Sequence, residues 1–574
     1  MKQIIQNLKN GETSLAEVPV PVVKHGHVLI KTQKSIVSLG TEKMLVNFGK
    51  ANYIQKARQQ PEKVKQVINK IRTDGLKPTI ESVFRKLNEP LPLGYCNAGV
   101  VVGIGEGVDD FNIGDRVISN GSHAEYVNIP KNLVAKIPEN VSYDKAVFTV
   151  VGAIGLQGIR LFKPSFGETV VVIGLGLIGL ITSQILIANG CNVIGIDYDE
   201  KKIEIAKQFG VKTFNAKDKN INTKITQLTS GNGADGVIIT ASSTSNDIIS
   251  DSAKMCRVRG RIILVGVIGL NINRTDFYDK EISFQVSCSY GPGRYDINYE
   301  EKGLDYPIGF IRWTENRNFL AILNSLSKNQ INVEKLITQR VHLNQFHEIY
   351  SNLSDKDAIA SIIEYDEFNP QDKISNIVNV SKSSFDPSKG VVGIIGAGNF
   401  TAATIVPTLS KFKAQIKYIA SSRGLSGTVL AKKYKISNSV TDYNLIIKDS
   451  EVDAVIITTR HNMHATQIIN SISNNKHVFV EKPLAINKIE LKTFEEISSM
   501  NFKSFLSNIG DGIFIDSFTC YHRGGFCKSG NRLMLRISYT TPDSIDIIGK
   551  DNLNGFRYYD LYKIRNSNLS KFQK

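Results

Sequence analysis

A chain of 574 residues is roughly four times the ~150 residues of a typical domain, so at least three globular units are expected. Its 41% hydrophobic and 22% charged residues are an ordinary globular balance, which excludes disorder as the main state. The net charge of +16 is spread through the chain rather than gathered on a recognisable module, so no nucleic-acid partner is expected, whereas phosphorylated small molecules suit a basic surface. The most apolar window, about 170–186, is broken by three glycines, and no membrane span is expected. The start turns polar before an apolar leader core could form, and six scattered cysteines argue against a disulfide scaffold; a reducing cytoplasm is the expected compartment.

In chain order, residues 1–145 read as short β-segments (HVLIKTQKSIVSLG, AGVVVGIGEGVDDFNIGDRVI, AEYVNIP) with a helical insertion over 52–87. Strands and helices then alternate over 146–290, the pattern of a parallel α/β sheet, and 291–365 returns to mixed character. A polar, aperiodic stretch at 366–389 reads as a linker. A second alternation occupies 390–495, and 496–574 shows only weak periodicity. The fold class is therefore α/β, with two separate nucleotide-fold starts.

The first start is a complete βαβ unit, GETVVVIGLGLIGLITSQILIANGCNVIGIDYDEKK. Gly174 allows the tight turn, Gly176 lets the backbone approach a pyrophosphate, and Gly179 permits close packing of helix on strand. The pyrophosphate belongs at the helix N-terminus, where free N–H groups and the macrodipole favour an anion. Asp197 follows the second strand, placed to accept hydrogen bonds from the adenosine ribose and to repel a 2′-phosphate, which favours NAD.

With GETVVVIGLGLIGL, GRIILVGV and GEGVDDFNIGDRV in this order, residues 1–365 resemble the medium-chain, zinc-type alcohol dehydrogenases. The resemblance implies a GroES-like β domain wrapped round a Rossmann domain, with substrate between them. It also implies a ribose contact for Lys202. The departures concern the metal. The family's zinc-binding segments correspond to Leu39-Gly40-Thr41-Glu42 and Gly94-Tyr95-Cys96, and 148–158 contains no Cys, His, Asp or Glu. A zinc ion needs about four N, S or O ligands, so no zinc is expected in this half, and a side chain must handle the proton. Tyr95, in a former ligand slot, Thr41, at the family's relay-hydroxyl position, and the adjoining Glu42 are the catalytic candidates, and each has a purely structural alternative. Cys96 is expected to be a packing residue.

Two stretches look like substrate equipment. The insertion carries a row of Lys and Arg opposite an apolar face, read as a solvated helix or as a lid over a phosphorylated substrate. The stretch from Cys288 to Phe319 gathers Arg294, Tyr295, Asp296, Tyr299, Tyr306, Arg312 and Trp313, the only Trp. It suits a sugar or nucleotide, with a structured loop as the plain alternative.

The second start, GVVGIIGAGNFTAATIVPTLSKFKAQIKYIASSRG, has Gly396 and Gly398 but Thr401 in place of a third glycine. Its second strand ends without an acid, and Arg423 follows, a pairing that accommodates a 2′-phosphate; NAD or NADP is expected here. With VDAVIITTRHNMHATQII and HVFVEKPLA, residues 390–490 resemble the glucose–fructose oxidoreductase/inositol dehydrogenase family (Gfo/Idh/MocA). The resemblance implies a catalytic role for Lys482 of the Glu481-Lys482-Pro483 tripeptide and a structural or cofactor-side place for His464. The family's Asp and His of the substrate half have no counterparts in the last 74 residues, which read as truncated or degenerate. Together the two parts resemble bi-domain oxidoreductases of surface-polysaccharide and nucleotide-sugar synthesis. That implies an NAD(P)-dependent oxidoreductase acting on a sugar or sugar nucleotide, with a homo-oligomer compatible. Two alternatives stand: only the N-terminal half is active, or the chain is a nucleotide-sensing scaffold.

Overall fold

The computed structural model describes residues 1–490 apart from 60–62, 68, 70–82, 84–86, 88, 354–356, 370, 372–373, 387–389, 482, 484 and 488, with backbone alone at 39, 41, 54 and 59. These residues form four sheets. Most of the N-terminal segment, with the end of the first half, builds two of them. β1 (Lys2–Asn7) pairs antiparallel with β2 (Thr13–Glu17) and β4 (Pro90–Pro92) in a small sheet. β3 (His27–Ser38) is the hub of a larger one: it pairs with β5 (Asn97–Ile104) and β7 (Tyr126–Pro130), while β6 (Arg116–Ser119) and β8 (Val134–Lys136) extend the sheet beyond β5. Val28 and Ile30 of β3 pack with Val101 and Val117 in one buried cluster, while Leu29 between them packs with Val20 and Tyr126 in another, so both faces of the strand are covered and nearly all of it is buried.

The second layer is a six-stranded parallel sheet in the order β11-β10-β9-β12-β13-β14. Its strands are β9 (Thr169–Ile173), β10 (Asn192–Asp197), β11 (Lys212–Asn215), β12 (Ala234–Ile239), β13 (Cys256–Leu264) and β14 (Ser283–Val286). This 3-2-1-4-5-6 order is that of a doubly wound dinucleotide fold. Helices cover both faces, so β9 reads as a run of β-branched residues with Val170, Val171 and Val172 all buried. The helix Thr149–Phe162 is packed against the helices Leu177–Ala188 and Glu315–Ser327. Together with the short helix before it (Tyr143–Phe162) it has the length and apolar composition of a membrane span, but 78% of that window is buried in the fold, as a core helix requires.

After this sheet the chain returns to the first. β15 (Ile337–His342) pairs with β16 (Ala360–Glu364), which runs antiparallel along β3 from Ser38 to Lys34. Of the 52–87 insertion, Tyr53–Gln59 is helical. Lys56 is buried there and donates to the Gly49 carbonyl at 2.8 Å, so this cation of the basic row is a packing residue. Most of the remaining basic row lies outside the described residues.

The fourth sheet has the order β17-β20-β19-β18-β21-β22. Its strands are β17 (Ile377–Asn379), β18 (Val391–Ile395), β19 (Gln415–Ala420), β20 (Asn438–Val440), β21 (Ala454–Ile457) and β22 (His477–Val480). β17 runs antiparallel to β20, whereas β18 runs parallel to β19 and β21 and β19 parallel to β20, so a strand from the linker region caps a second parallel nucleotide fold. The described chain separates into two compact units. One holds 1–459 with 471–478; the other begins with Arg460–Asn470 and resumes at Phe479.

Candidate functional site

The first glycine loop leaves β9 and enters the helix Leu177–Ala188. Gly174 has φ +94°, and a Cβ there would lie 2.7 Å from the Ala241 backbone nitrogen, so only glycine fits the turn. Gly179 is tighter still: its Cβ would lie 1.8 Å from the Gly174 carbonyl oxygen. Around Gly176, the residue that caps the helix, a Cβ would meet nothing within 4 Å. That open space in front of free helix N–H groups is the room a pyrophosphate takes. The residues present fit a dinucleotide.

Asp197 ends β10, and its carboxylate is already at work. Oδ2 accepts from the Leu175 N–H at 2.6 Å and Oδ1 from the Asp199 N–H at 3.0 Å, so one acid braces the glycine loop and the turn after β10. Lys202 stands on the next helix with its ammonium 3.4 Å from Asp199. A cavity of about 430 Å³ is lined by Ile185, Ala188 and Asn189 at the other end of the helix Leu177–Ala188. Twelve residues at 1.5 Å each put it about 18 Å from the cradle, and it takes no part in this site.

The former ligand segments lie on the GroES-like side. The helix Leu39–Lys50 begins right after β3, and Thr41 and Glu42 sit in its first turn; the Thr41 side chain is outside the described residues. Glu42 is fully buried. One carboxylate oxygen faces His123 Nε2 at 3.1 Å and the other accepts from the Tyr350 hydroxyl. The other ring nitrogen of His123 faces Ser35 Oγ at 2.7 Å, and Ser35 in turn meets the Tyr365 hydroxyl at 2.8 Å. Burial and the Glu42 charge both push the Tyr350 hydroxyl well above its ordinary pKa, so it stays protonated as the donor to Glu42. Burial, with Glu42 adding, likewise raises the Cys96 thiol well above its usual range, and it is inert packing. Tyr95 is half-buried and rests against the core cluster that includes Cys96, Phe148 and Val151.

Beyond β14, at the carboxyl edge of the parallel sheet, the loop from Cys288 carries the clustered aromatics. Asn120 reaches across from the GroES-like side to donate to the Tyr290 hydroxyl at 3.1 Å. Arg294 pairs with Glu300, and Tyr299 stacks on Tyr306 with ring centroids 5.3 Å apart. Beneath them Glu315 is fully buried and neither carboxyl oxygen has a hydrogen-bond partner. Burial pushes its carboxyl up to about 8, Glu300 adds to the shift and Arg294 opposes it.

The second glycine loop differs in one residue that changes the helix. Gly396 has φ +118° and Gly398 again faces open space, so the cradle is kept. Thr401, where the third glycine would be, is buried with its hydroxyl 2.6 Å from that of Thr458. The helix cannot close onto the strand as the first does, and it starts with a π turn, Thr401–Ile405, before Val406–Lys411. Pro407, with no N–H to give, sits in the first turn of that helix. β19 ends without an acid: Ser421 Oγ accepts from the Gly427 N–H at 3.0 Å, and Arg423 is exposed with its guanidinium unpaired among the described residues. His464 is fully buried and its Nδ1 lies 2.6 Å from the Pro483 carbonyl oxygen, so it braces the turn of the tripeptide; Lys482 lies outside the described residues.

Three family models match this chain: an alcohol dehydrogenase GroES-like domain over 65–139, a zinc-binding dehydrogenase over 178–301, and an oxidoreductase family with an NAD-binding Rossmann fold over 391–501. A quinone oxidoreductase of Rattus norvegicus is 30% identical over 238 residues, covering 38% of this chain and 70% of that protein. The chain belongs to the medium-chain, alcohol dehydrogenase-like family, with a Gfo/Idh/MocA module on its C-terminal side. Sorbitol dehydrogenase 1 of Saccharomyces cerevisiae is 25% identical over 293 residues (44% of this chain, 75% of that protein). D-guloside 3-dehydrogenase of Escherichia coli is 28% identical over 281 residues (47% and 75%). An NAD(P)-dependent oxidoreductase of the sugar and polyol dehydrogenase kind follows from these matches and the folds that carry them.

For a medium-chain dehydrogenase the donor set is unusual. Leu39 has no ligating atom, and Tyr95 and Cys96 stand in the next slot. Among the described residues no three His, Cys, Asp or Glu side chains are grouped so as to hold a metal ion. Four of the residues that shape this site escape the sequence patterns: His123, Tyr350, Asn120 and Glu315. His123 belongs to no motif, and its partners are 81 and 88 residues away along the chain.

Proposed function

We propose that the chain moves hydride to or from a secondary alcohol or ketone of a sugar or sugar nucleotide without a metal ion, in the cytoplasm, as a step of surface-polysaccharide synthesis. Residues 1–145 and 291–365 form the substrate part in this reading, and 146–290 and 390–495 the nucleotide parts. The observation that carries it is the intact cradle at Gly176, open at a helix N-terminus and braced by Asp197; the Leu39 and Tyr95 substitutions in the family's ligand slots support the metal-free part.

A bound NAD supplies the hydride acceptor or donor at C4 of its nicotinamide. The protein's share is positioning and the proton. Gly174, Gly176 and Gly179 admit the pyrophosphate, and Asp197 with Lys202 holds the adenosine ribose. Tyr95 gives a proton to the carbonyl oxygen in reduction and takes it back in oxidation, with Thr41 as relay. Glu42, committed to His123 and Tyr350, holds the helix turn that carries Thr41 and does not meet substrate itself. In the second module Gly396, Gly398 and Arg423 take the phosphates of NADP, or NAD, and Lys482 is the acid/base candidate.

The test is a screen of polyols, sugar phosphates and sugar nucleotides, following nicotinamide absorbance with and without exhaustive chelation. Turnover that survives the chelator and falls about a hundredfold in Tyr95→Phe is expected. Activity lost on chelation and restored by zinc would overturn the metal-free reading.

A further inference from the structure

His123 touches both segments that carry the proposed proton-handling groups. Its imidazole faces Glu42 through Nε2 at 3.1 Å, in the helix turn that holds Thr41. The same ring lies flat against Gly94, the residue before Tyr95. A Cβ at Gly94 would sit 2.6 Å from His123 Cδ2, and Gly94 has φ +87°, so only glycine lets the ring approach this closely. The backbone of His123 closes the clasp: its N–H donates to the Leu93 carbonyl at 2.8 Å, and its own carbonyl accepts from Ile4 at 2.9 Å. The ring cannot swing away, because Nδ1 is held by Ser35 at 2.7 Å, and the side chains of His123 and Glu42 are 0% and 1% exposed. The remaining groups facing the pair are Tyr350, on the second Glu42 oxygen, Tyr365, beyond Ser35, and the Cys96 thiol.

We infer that His123 is a positioning residue: one buried imidazole ties the Thr41–Glu42 turn to the Gly94-Tyr95-Cys96 segment and sets the spacing of the groups that handle the substrate's proton. The inference rests on the metal-free reading above. A buried ring bonded at both nitrogens has a single orientation, and segments contacted by it move together or not at all. Ser35, His123 and Glu42 have the connectivity of a hydrolytic triad. Ser35 is fully buried, so the constellation serves geometry and not nucleophilic attack.

Hydrogen–deuterium exchange on the full chain tests this without knowledge of the substrate. In His123→Phe, residues 36–46 and 92–98 exchange about fivefold faster or more, together, while the glycine loop at 174–180 changes by less than about twofold. His123→Gln, which keeps a donor for Glu42, restores part of the protection. Should His123→Phe not fold, Glu42→Gln carries the test, loosening 92–98, a segment outside its own helix. Loosening of one segment alone, of neither, or of the glycine loop to the same degree would overturn the inference. On any sugar the screen identifies, kcat falls about tenfold in His123→Gln with KM within about threefold; a change in KM alone counts against positioning. Chelator added to the native protein leaves both segments protected. If chelation loosens them, the metal-free reading has failed; if only the His123 variants are silent, this inference has failed by itself.

Discussion

The two glycine cradles start alike and end differently. Both keep a left-handed glycine after the first strand and an open glycine at the helix start, Gly174 and Gly176 in one, Gly396 and Gly398 in the other. Both also have a threonine at the end of the fourth strand of the fold, Thr240 and Thr458, whose hydroxyl reaches the first glycine's carbonyl, at 2.6 Å and 3.3 Å. The divergence is at the third position. Gly179 leaves the helix free to close against Gly174, whereas Thr401 fills that gap and the helix begins with a wide turn. At the ribose end the first site has Asp197 tied to the loop, and the second has an exposed Arg423. On the proposed reading the first cradle suits a free 2′-hydroxyl and the second, with its exposed cation, a 2′-phosphate. Phosphate recognition needs only the first two glycines. The third sets how tightly helix and strand pack, and in the proposed function the strand end selects the cofactor.

The largest effect is expected where backbone meets backbone. Gly179→Val drives a side chain into the Gly174 carbonyl, costs about 3 kcal/mol and abolishes NADH binding at the first site, while NADPH binding at the second persists. Calorimetry and a thermal melt read both. Asp197→Ser removes the charged acceptor from Leu175 and from the ribose; NADH binding should weaken about thirtyfold, about 2 kcal/mol, with discrimination against NADPH relaxed. Arg423→Gln is the mirror experiment: NADPH affinity at the second site falls about tenfold and NADH affinity at the first is unmoved.

The pH dependence also separates the halves. The Glu315 carboxyl is raised from 4.5 to about 8, so between these values the folded chain holds a proton that the unfolded chain has released, and stability falls as pH rises through that window. Glu315→Gln should flatten this fall in the melting temperature of the first half, and an unchanged slope would show that another group carries it. The smallest effect is expected in Thr401→Gly, which removes the Thr458 contact but keeps the cradle. NADPH affinity should shift within about threefold, under about 1 kcal/mol. A larger loss would mean that the threonine hydroxyl itself holds the cofactor.

What the sequence discloses is what is local. The βαβ units, their glycines, Asp197 and the Ser-Ser-Arg end of β19 are readable because each lies within a few dozen residues and obeys a strand-turn-helix pattern. The departures at Leu39 and Tyr95 are readable too, once the family resemblance supplies the slots. The brace around Glu42 is not. It joins residues 35, 42, 123, 350 and 365, brought together only when β16 returns to pair with β3, and long-range pairing leaves no periodic trace. Glu315 is equally silent, since an acid in the first turn of a helix reads as a favourable dipole contact until burial is known.

The most direct test is to titrate the full-length protein with NADH and then NADPH by calorimetry, in the native chain and in Asp197→Arg. Two non-equivalent sites are expected, one for NADH that Asp197→Arg abolishes and one that still takes NADPH. A single site, or an NADH site untouched by Asp197→Arg, would contradict the account of two cradles with different cofactors.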